Sequence, residues 1–337
     1  VEKISVIIPC RNEEKYIARC LESVINNDYP KDYMEVFVVD GKSNDLTQKI
    51  IREYSEKYSF INLLVNENKT VPYAMNMGIK LSKGDYIIRL DAHSEFPSNY
   101  FSKLIEWSKK LNADNVGAVW ITEVKNKNTK TNSIKAVLSN KFGVGNSFFR
   151  IGINEVREVD TVPFGCYKKV VFEKIGLYDN RLDRDQDIEL NKRLKKNGGK
   201  IFLLPDVYSI YYARETFYDI AKNNFQTGLW NILTVYLTKR IHSLSLRHFI
   251  PLIFLFSLLI PLILVLWEPI FGYAALAGFI FYLLTLGVIS LKIKNKTNAI
   301  IYIIWSFIVL HFSYGFGSFI GIFRVDKLFN KVENERI

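Results

Sequence analysis

Ile4-Ser5-Val6-Ile7-Ile8-Pro9-Cys10-Arg11-Asn12-Glu13 is the stretch on which the reading of the fold turns. Its first half is an apolar, β-branched run of strand length that gives way at once to polar and charged residues. From Glu13 to Ile25 the apolar positions take helical spacing, so strand passes to helix through a short polar turn. The pattern then repeats. Glu35 to Asp40 is a strand rich in Val and Phe, and Ser43 is placed to cap a helix running to about Tyr58. Ile61–Val65, a helix after Pro72 and the strand Asp85–Leu90 continue the series. This alternation predicts an α/β domain, Rossmann-like, with a mostly parallel sheet covered by helices. Ligands of such sheets collect beyond the carboxyl ends of the strands. That rule singles out Pro9 to Glu13, Asp40-Gly41-Lys42-Ser43 and Asp91-Ala92-His93. From 122 to 135 the chain turns into Lys, Asn and Thr and reads as an exposed loop.

Further along, the composition shifts near residue 248. Phe249 to Leu291 holds one formally charged side chain, Glu268, and Ala299 to Phe323 holds none. The runs 249-267, 270-291 and 299-323 are each long enough to cross a hydrocarbon layer as a helix. Tyr314-Gly315-Phe316-Gly317 leaves two readings of the third run open, a clean span or a re-entrant element broken at the glycines. The expected layout is an α/β domain over 1-212, amphipathic interfacial helices over 213-248, a transmembrane region over 249-323 and a tail over 324-337. The net charge of +11 comes without a helix-turn-helix or RNA-binding signature, so no nucleic acid is expected as partner. Membrane lipids account for it better. Lys239, Arg240 and Arg247 precede the first run, and Lys292, Lys294 and Lys296 lie between the second and third. With no signal-peptide pattern ahead of the first strand, the expectation is a multi-pass protein of the cell membrane with its α/β domain cytoplasmic. A strict third span conflicts with that bias, because it carries Arg324, Lys327 and Lys331 to the far side. Cys10, Cys20 and Cys166 have no metal-ligand spacing and read as reduced thiols.

Four segments, taken in order and spacing, carry a resemblance: Val6 to Glu13, Val38-Val39-Asp40-Gly41-Lys42-Ser43-Asn44-Asp45, Leu90-Asp91-Ala92-His93 and Gln186-Asp187-Ile188-Glu189-Leu190. From about Ile4 to Trp230 the chain resembles the inverting family 2 glycosyltransferases of GT-A fold, and within them the succinoglycan-biosynthesis type. The resemblance implies a nucleotide-sugar donor, with Asp40 accepting from the NH of a uracil or similar base and Pro9, Arg11 and Glu13 shaping its pocket. It implies that Asp91 and His93 stand in the place of the D-x-D element and hold a divalent cation, Mn²⁺ or Mg²⁺. An imidazole in place of the second carboxylate favours the softer ion. Asp187 takes the place of the catalytic base, while Gln186 departs from the family's Glu at that position. Gly165, in Thr161-Val162-Pro163-Phe164-Gly165-Cys166, resembles the residue that lets backbone approach the donor sugar. Gln226 and Trp230 match the outer positions of a Q-x-x-R-W motif, whose Arg is missing here, and are assigned to the acceptor side.

Blander readings stand beside these. Asp-Gly-x-Ser is also good turn chemistry, acidic residues favour helix N-termini, and Trp concentrates at membrane interfaces. The function expected is transfer of a hexosyl unit from a UDP-sugar to a lipid-linked, polyprenyl-type acceptor in exopolysaccharide or surface-glycan synthesis. A polyprenyl-phosphate sugar transferase and a catalytically silent scaffold are the alternatives.

Overall fold

The computed structural model describes residues 1–239 and 243–334, with side chains described to Val325. Arg240 and the side chains of Lys327 and Lys331 lie outside the described residues. The chain divides into two compact units, one of Val1–Ile121 and Phe148–Tyr212, the other of Thr122–Ser147 and the residues from Ala213 on. The first unit thus lacks 122–147, which the sequence assigned to a continuous 1-212 domain.

In chain order the first unit runs β1 (Ile4–Cys10), α1 (Ile17–Ile25), β2 (Met34–Asp40), α2 (Thr47–Lys57), β3 (Ile61–Val65), α3 (Val71–Leu81), β4 (Tyr86–Arg89), β5 (Ser94–Glu95), α4 (Tyr100–Lys110) and β6 (Asn115–Glu123). Two short helices of the second unit's excursion follow, α5 (Thr129–Leu138) and α6 (Lys141–Val144). The chain then returns through α7 (Phe148–Ile151), β7 (Arg157–Glu158), β8 (Cys166–Lys168), α8 (Val170–Ile175), α9 (Gln186–Lys196) and β9 (Ile201–Tyr212). The strands form one sheet in the order β3-β2-β1-β4-β8-β6-β9-β5, with β7 paired to β9. β3, β2, β1 and β4 are parallel, as the alternation predicts. The pairs β4–β8, β6–β8, β5–β9 and β7–β9 are antiparallel, so the sheet is mixed.

β1 is buried at all seven positions because it is covered on both faces. Ile4, Val6 and Ile8 share one core with Ile17, Leu21 and Val24 of α1. Ile7 points the other way, to Ala74, Met75 and Ile79 of α3. Each such side chain contributes about 1.5–3 kcal/mol by leaving water, which fixes the register and brings Cys10 level with Asp40.

Local expectations differ from the structure in three places. α1 begins at Ile17, since Glu13 to Tyr16 form a turn. Ser43 does not cap α2, which starts at Thr47; Asp45 Oδ1 accepts from the Thr47 N–H at 3.0 Å instead. The 122–135 loop contains the end of β6 and the start of α5. Asn128 and Thr131 close a capping box there, and Ile134 and Val137 are buried, so a polar composition conceals an ordered helix.

The second unit adds α10 (Phe217–Thr238), α11 (Ile250–Leu264), α12 (Ile270–Ile293) and α13 (Ile300–Asn334). Among the described residues two segments are long and apolar enough to cross a membrane, Ile270–Ile293 and Ile300–Val325. The expected span 249-267 is corrected. α11 has 15 residues, too short for that role, and Pro269 keeps its predecessor out of helical conformation. At Tyr314–Gly317, where the sequence left a span and a re-entrant element both open, α13 runs unbroken. The glycines serve close packing. A Cβ on Gly317 would meet the Phe225 carbonyl oxygen at 2.0 Å, and one on Gly228 would meet that of Tyr314 at 2.1 Å. α10 and α13 therefore touch backbone to backbone, as small residues allow between helices.

Candidate active site

The carboxyl ends of β1 and β2 are laced together by polar side chains. Asn12 turns in the left-handed region, φ 57°. Its N–H donates to Ser43 Oγ at 2.8 Å, and its Oδ1 accepts from the Asn44 N–H at 3.0 Å. The Glu13 N–H donates to Thr47 Oγ1 at 2.8 Å, and Glu14 Oε2 accepts from the Leu46 N–H at 3.1 Å. Asp40 is wholly buried beneath this turn. Its Oδ2 accepts from the Ser43 N–H at 2.9 Å and from Gln48 Nε2 at 2.6 Å, and Oδ1 accepts from the Ser43 hydroxyl. The geometry gives Asp40 the turn chemistry noted above, with Gln48 as a partner that sequence reading missed. Pro9 is buried in β1, Arg11 is exposed and Glu13 is half-buried.

Beyond β4 lie Asp91 and His93. Arg89, the last residue of β4, donates from Nε and Nη2 to Asp91 Oδ1 at 3.3 and 3.1 Å. Both bonds fall on one oxygen. Burial opposes the Arg89 charge, but Asp91 and then Asp187 outweigh it and hold the guanidinium above its ordinary range. Arg89 is therefore electrically common to two segments nearly 100 positions apart in sequence. His93 Nδ1 lies 3.3 Å from Glu13 Oε1. Burial alone lowers the imidazole pKa; the Glu13 hydrogen bond and the Asp91 charge reverse this and push it up to about 9. His93 also meets Tyr16 and Tyr211 edge-on, with ring centroids 6.3 and 6.2 Å apart.

Among the described residues no three His, Cys, Asp or Glu side chains gather into a metal site. Asp91 and the neutral form of His93 suit a cation that takes its remaining ligands from a diphosphate. Such a cation would have to displace the proton that Glu13 and Asp91 help His93 to hold. The Arg89 bonds leave Asp91 Oδ2, and a carboxylate on Nδ1 orients a histidine to ligate through Nε2.

Asp187 sits half-buried in the first turn of α9, where its Oδ1 accepts from the Ile188 N–H at 2.9 Å. α9 is fixed to the sheet one turn further on. Asn191 Oδ1 accepts from Asn115 Nδ2 at 3.0 Å and from the Tyr167 hydroxyl at 2.9 Å, while its Nδ2 donates to Thr161 Oγ1 at 2.9 Å. Gly165 packs against the residues of this network. A Cβ there would lie 2.6 Å from both Asn115 Oδ1 and Tyr167 Cε2, so its small size serves packing. Trp230 is likewise buried, 8% exposed, and Gln226 half-buried, both on α10 in the second unit.

The model of the family described as Glycosyl transferase family 2 matches residues 5–176. The chain belongs to glycosyl transferase family 2. Among its relatives is a Methanococcus voltae enzyme, dolichyl N-acetyl-alpha-D-glucosaminyl phosphate 3-beta-D-2,3-diacetamido-2,3-dideoxy-beta-D-glucuronosyltransferase. The two are 31% identical over 336 residues, covering 97% of this chain and 99% of that one. The succinoglycan biosynthesis protein ExoA of Rhizobium meliloti is 28% identical over 62% of this chain and 63% of its own. A mannosyltransferase from Pyrobaculum calidifontis, solved with GDP-Man and Mn²⁺, shares the fold at a TM-score of 0.61. It is 15% identical and covers 96% of this chain and 87% of that one. This family 2 glycosyltransferase thus has the GT-A fold with a C-terminal helical region, as the resemblance implies.

Proposed function

We propose that this glycosyltransferase moves a hexosyl unit, with inversion, from a nucleotide-sugar of the UDP type to a hydroxyl of a lipid-linked, polyprenyl-type glycan in surface-glycan synthesis. The observation that carries the reading is the likeness to the Methanococcus voltae enzyme along nearly the whole of both chains, since that relative is named for a dolichyl phosphate-linked sugar. Two helices long and apolar enough to span support anchoring in a membrane, and the reading places the catalytic unit on its cytoplasmic side. A site held at the membrane meets an acceptor confined there.

In this reading the nucleotide lies over the laced ends of β1 and β2, where Arg11 is exposed and Asp40 with Gln48 keeps the turn in shape. Asp91 and His93, the latter once it has lost its proton, would hold the divalent cation. A bound cation neutralises the charge that develops on the departing diphosphate. Asp187 takes the proton of the attacking hydroxyl, the one step for which a single displacement requires a base. Arg89, charged and buried next to Asp91, keeps that carboxylate oriented.

Calorimetry of UDP-sugars on the full-length protein with and without Mn²⁺ tests the donor half. Wild type is expected to bind in an Mn²⁺-dependent manner and Asp91→Ala to lose that dependence. Equal binding by the variant, with equal response to Mn²⁺, would remove Asp91 from the cation site.

A further inference from the structure

The connection between α12 and α13 is short, 294–299, and carries Lys294 and Lys296, with Lys292 just before it at the end of α12. When both helices cross a bilayer, a connection of this length stays at the headgroup layer. The segment that follows β6 is fastened to it. Asn132 Nδ2 donates to the Thr297 carbonyl at 3.2 Å, and the Ala299 N–H donates to Ser133 Oγ at 3.1 Å. One turn further along α5, Val137 shares an apolar cluster with Tyr282 and Leu286 of α12 and with Ile303 and Phe307 of α13. Beyond that, the Phe142 carbonyl lies 2.9 Å from His311 Nε2. All these residues belong to the second unit. Lys127 and Lys130, just ahead of Asn132, are thereby carried to the same rim as Lys292, Lys294 and Lys296. Carboxylates at this rim are engaged elsewhere. Glu123 pairs with Lys135 at 2.7 Å, and Glu215 accepts from the N–H and Nδ2 of Asn126 at 2.9 and 2.6 Å. Lys127, Lys292, Lys294 and Lys296 are exposed and Lys130 is half-buried, and none of the five has an acidic partner among the described residues.

We propose that these five lysines form a rim that binds the anionic phospholipid headgroups of the bilayer holding α12 and α13, which makes 127–133 a membrane-contact segment. This rests on the membrane reading above and adds to it a lipid preference and a second stretch of chain at the surface. An exposed lysine is a point charge on a flexible stem, suited to a diffuse negative layer, whereas one bound phosphate is held by donors that converge in a pocket. The rim is also continuous with apolar surface. Leu291 on one side of the connection is 64% exposed and Ile301 on the other 69%. Cations set directly above exposed apolar side chains are what the boundary between headgroups and acyl chains favours.

The test uses the full-length protein in micelles of a neutral detergent, titrated with phosphatidylglycerol or with phosphatidylcholine of the same acyl chains, and reads bound lipid per protein. Wild type should prefer phosphatidylglycerol, and added salt should reduce the preference. Lys127→Gln with Lys130→Gln should weaken phosphatidylglycerol binding about 10- to 30-fold, at about 5-fold for each charge near the surface. Phosphatidylcholine binding and the thermal midpoint should stay those of wild type. Lys127→Arg with Lys130→Arg should keep the preference. Lys294→Gln with Lys296→Gln should act as the first pair does, and replaces it if that variant fails to fold. No preference in wild type, or a preference untouched by both pairs, would overturn the proposal alone. So would a loss confined to polyprenyl-phosphate-linked N-acetylglucosamine as the probe, which would assign the lysines to the acceptor. Release of wild type from phosphatidylcholine vesicles by a salt wash would overturn the membrane reading and this one with it.

Discussion

At the scale of single residues, His93 illustrates what a partner does to a side chain. Glu13 and Asp91 raise its pKa from an ordinary 6.5 to about 9, so the folded protein holds its proton more tightly than the unfolded chain. The resulting stability is fully present below pH 6.5 and is lost as pH rises through 9. About a third of the side chain is exposed, so solvent screening reduces the effect to about 1–2 kcal/mol. Chemical denaturation of wild type between pH 6 and 9.5 should show that decline, and His93→Asn should flatten it; an unchanged slope would mean that the Glu13 contact does not persist in solution. His93 was legible from its place after a strand. Arg89 was not, because a lone Arg at a strand end reads as a surface charge until the fold sets Asp91 and Asp187 around it. Gln48 was hidden for a similar reason, since a polar residue on an amphipathic helix announces no partner.

At the scale of elements, the parallel half of the sheet was readable because each strand is a long apolar run ending in polar residues. The antiparallel half was not. β5, β7 and β8 have two or three residues each, too few to display a period. The position of α9 depends on Asn191, whose three hydrogen bonds lie in the core behind Asp187. Asn191→Leu should leave Asn115, Tyr167 and Thr161 without partners and cost about 2–4 kcal/mol. It should also lower kcat more than donor affinity if Asp187, one turn away on the same helix, is the base as proposed; thermal melts and steady-state kinetics check both parts. Among the membrane-type helices, Gly317→Val would push α13 off α10 at the Phe225 carbonyl. A loss of the detergent-solubilised fold well below the wild-type midpoint is the expected result, and an unchanged midpoint would show that the two backbones are not in contact.

At the scale of the whole molecule, the composition shift near residue 248 falls inside the second unit, whose last stretch begins at Ala213. It did not foretell that Thr122–Ser147 would leave the first unit and join the second. An apolar tail inserted in a bilayer is not screened by salt, so high-salt and alkaline washes should leave the full chain in the membrane fraction. Release by salt alone would show peripheral attachment. The central claim is that nucleotide-sugar binding and proton removal are separate duties of one site serving a lipid-linked acceptor. It is tested most directly by comparing wild type and Asp187→Asn in a transfer assay with a labelled UDP-sugar, Mn²⁺ and a polyprenyl-phosphate-linked N-acetylglucosamine. The account predicts a labelled lipid-linked disaccharide from wild type, and a fall in kcat of about 10² to 10⁴ for the variant with UDP and Mn²⁺ affinity unchanged. Undiminished turnover by Asp187→Asn would contradict it and point to an acceptor, such as a free polyprenyl phosphate, that needs no base.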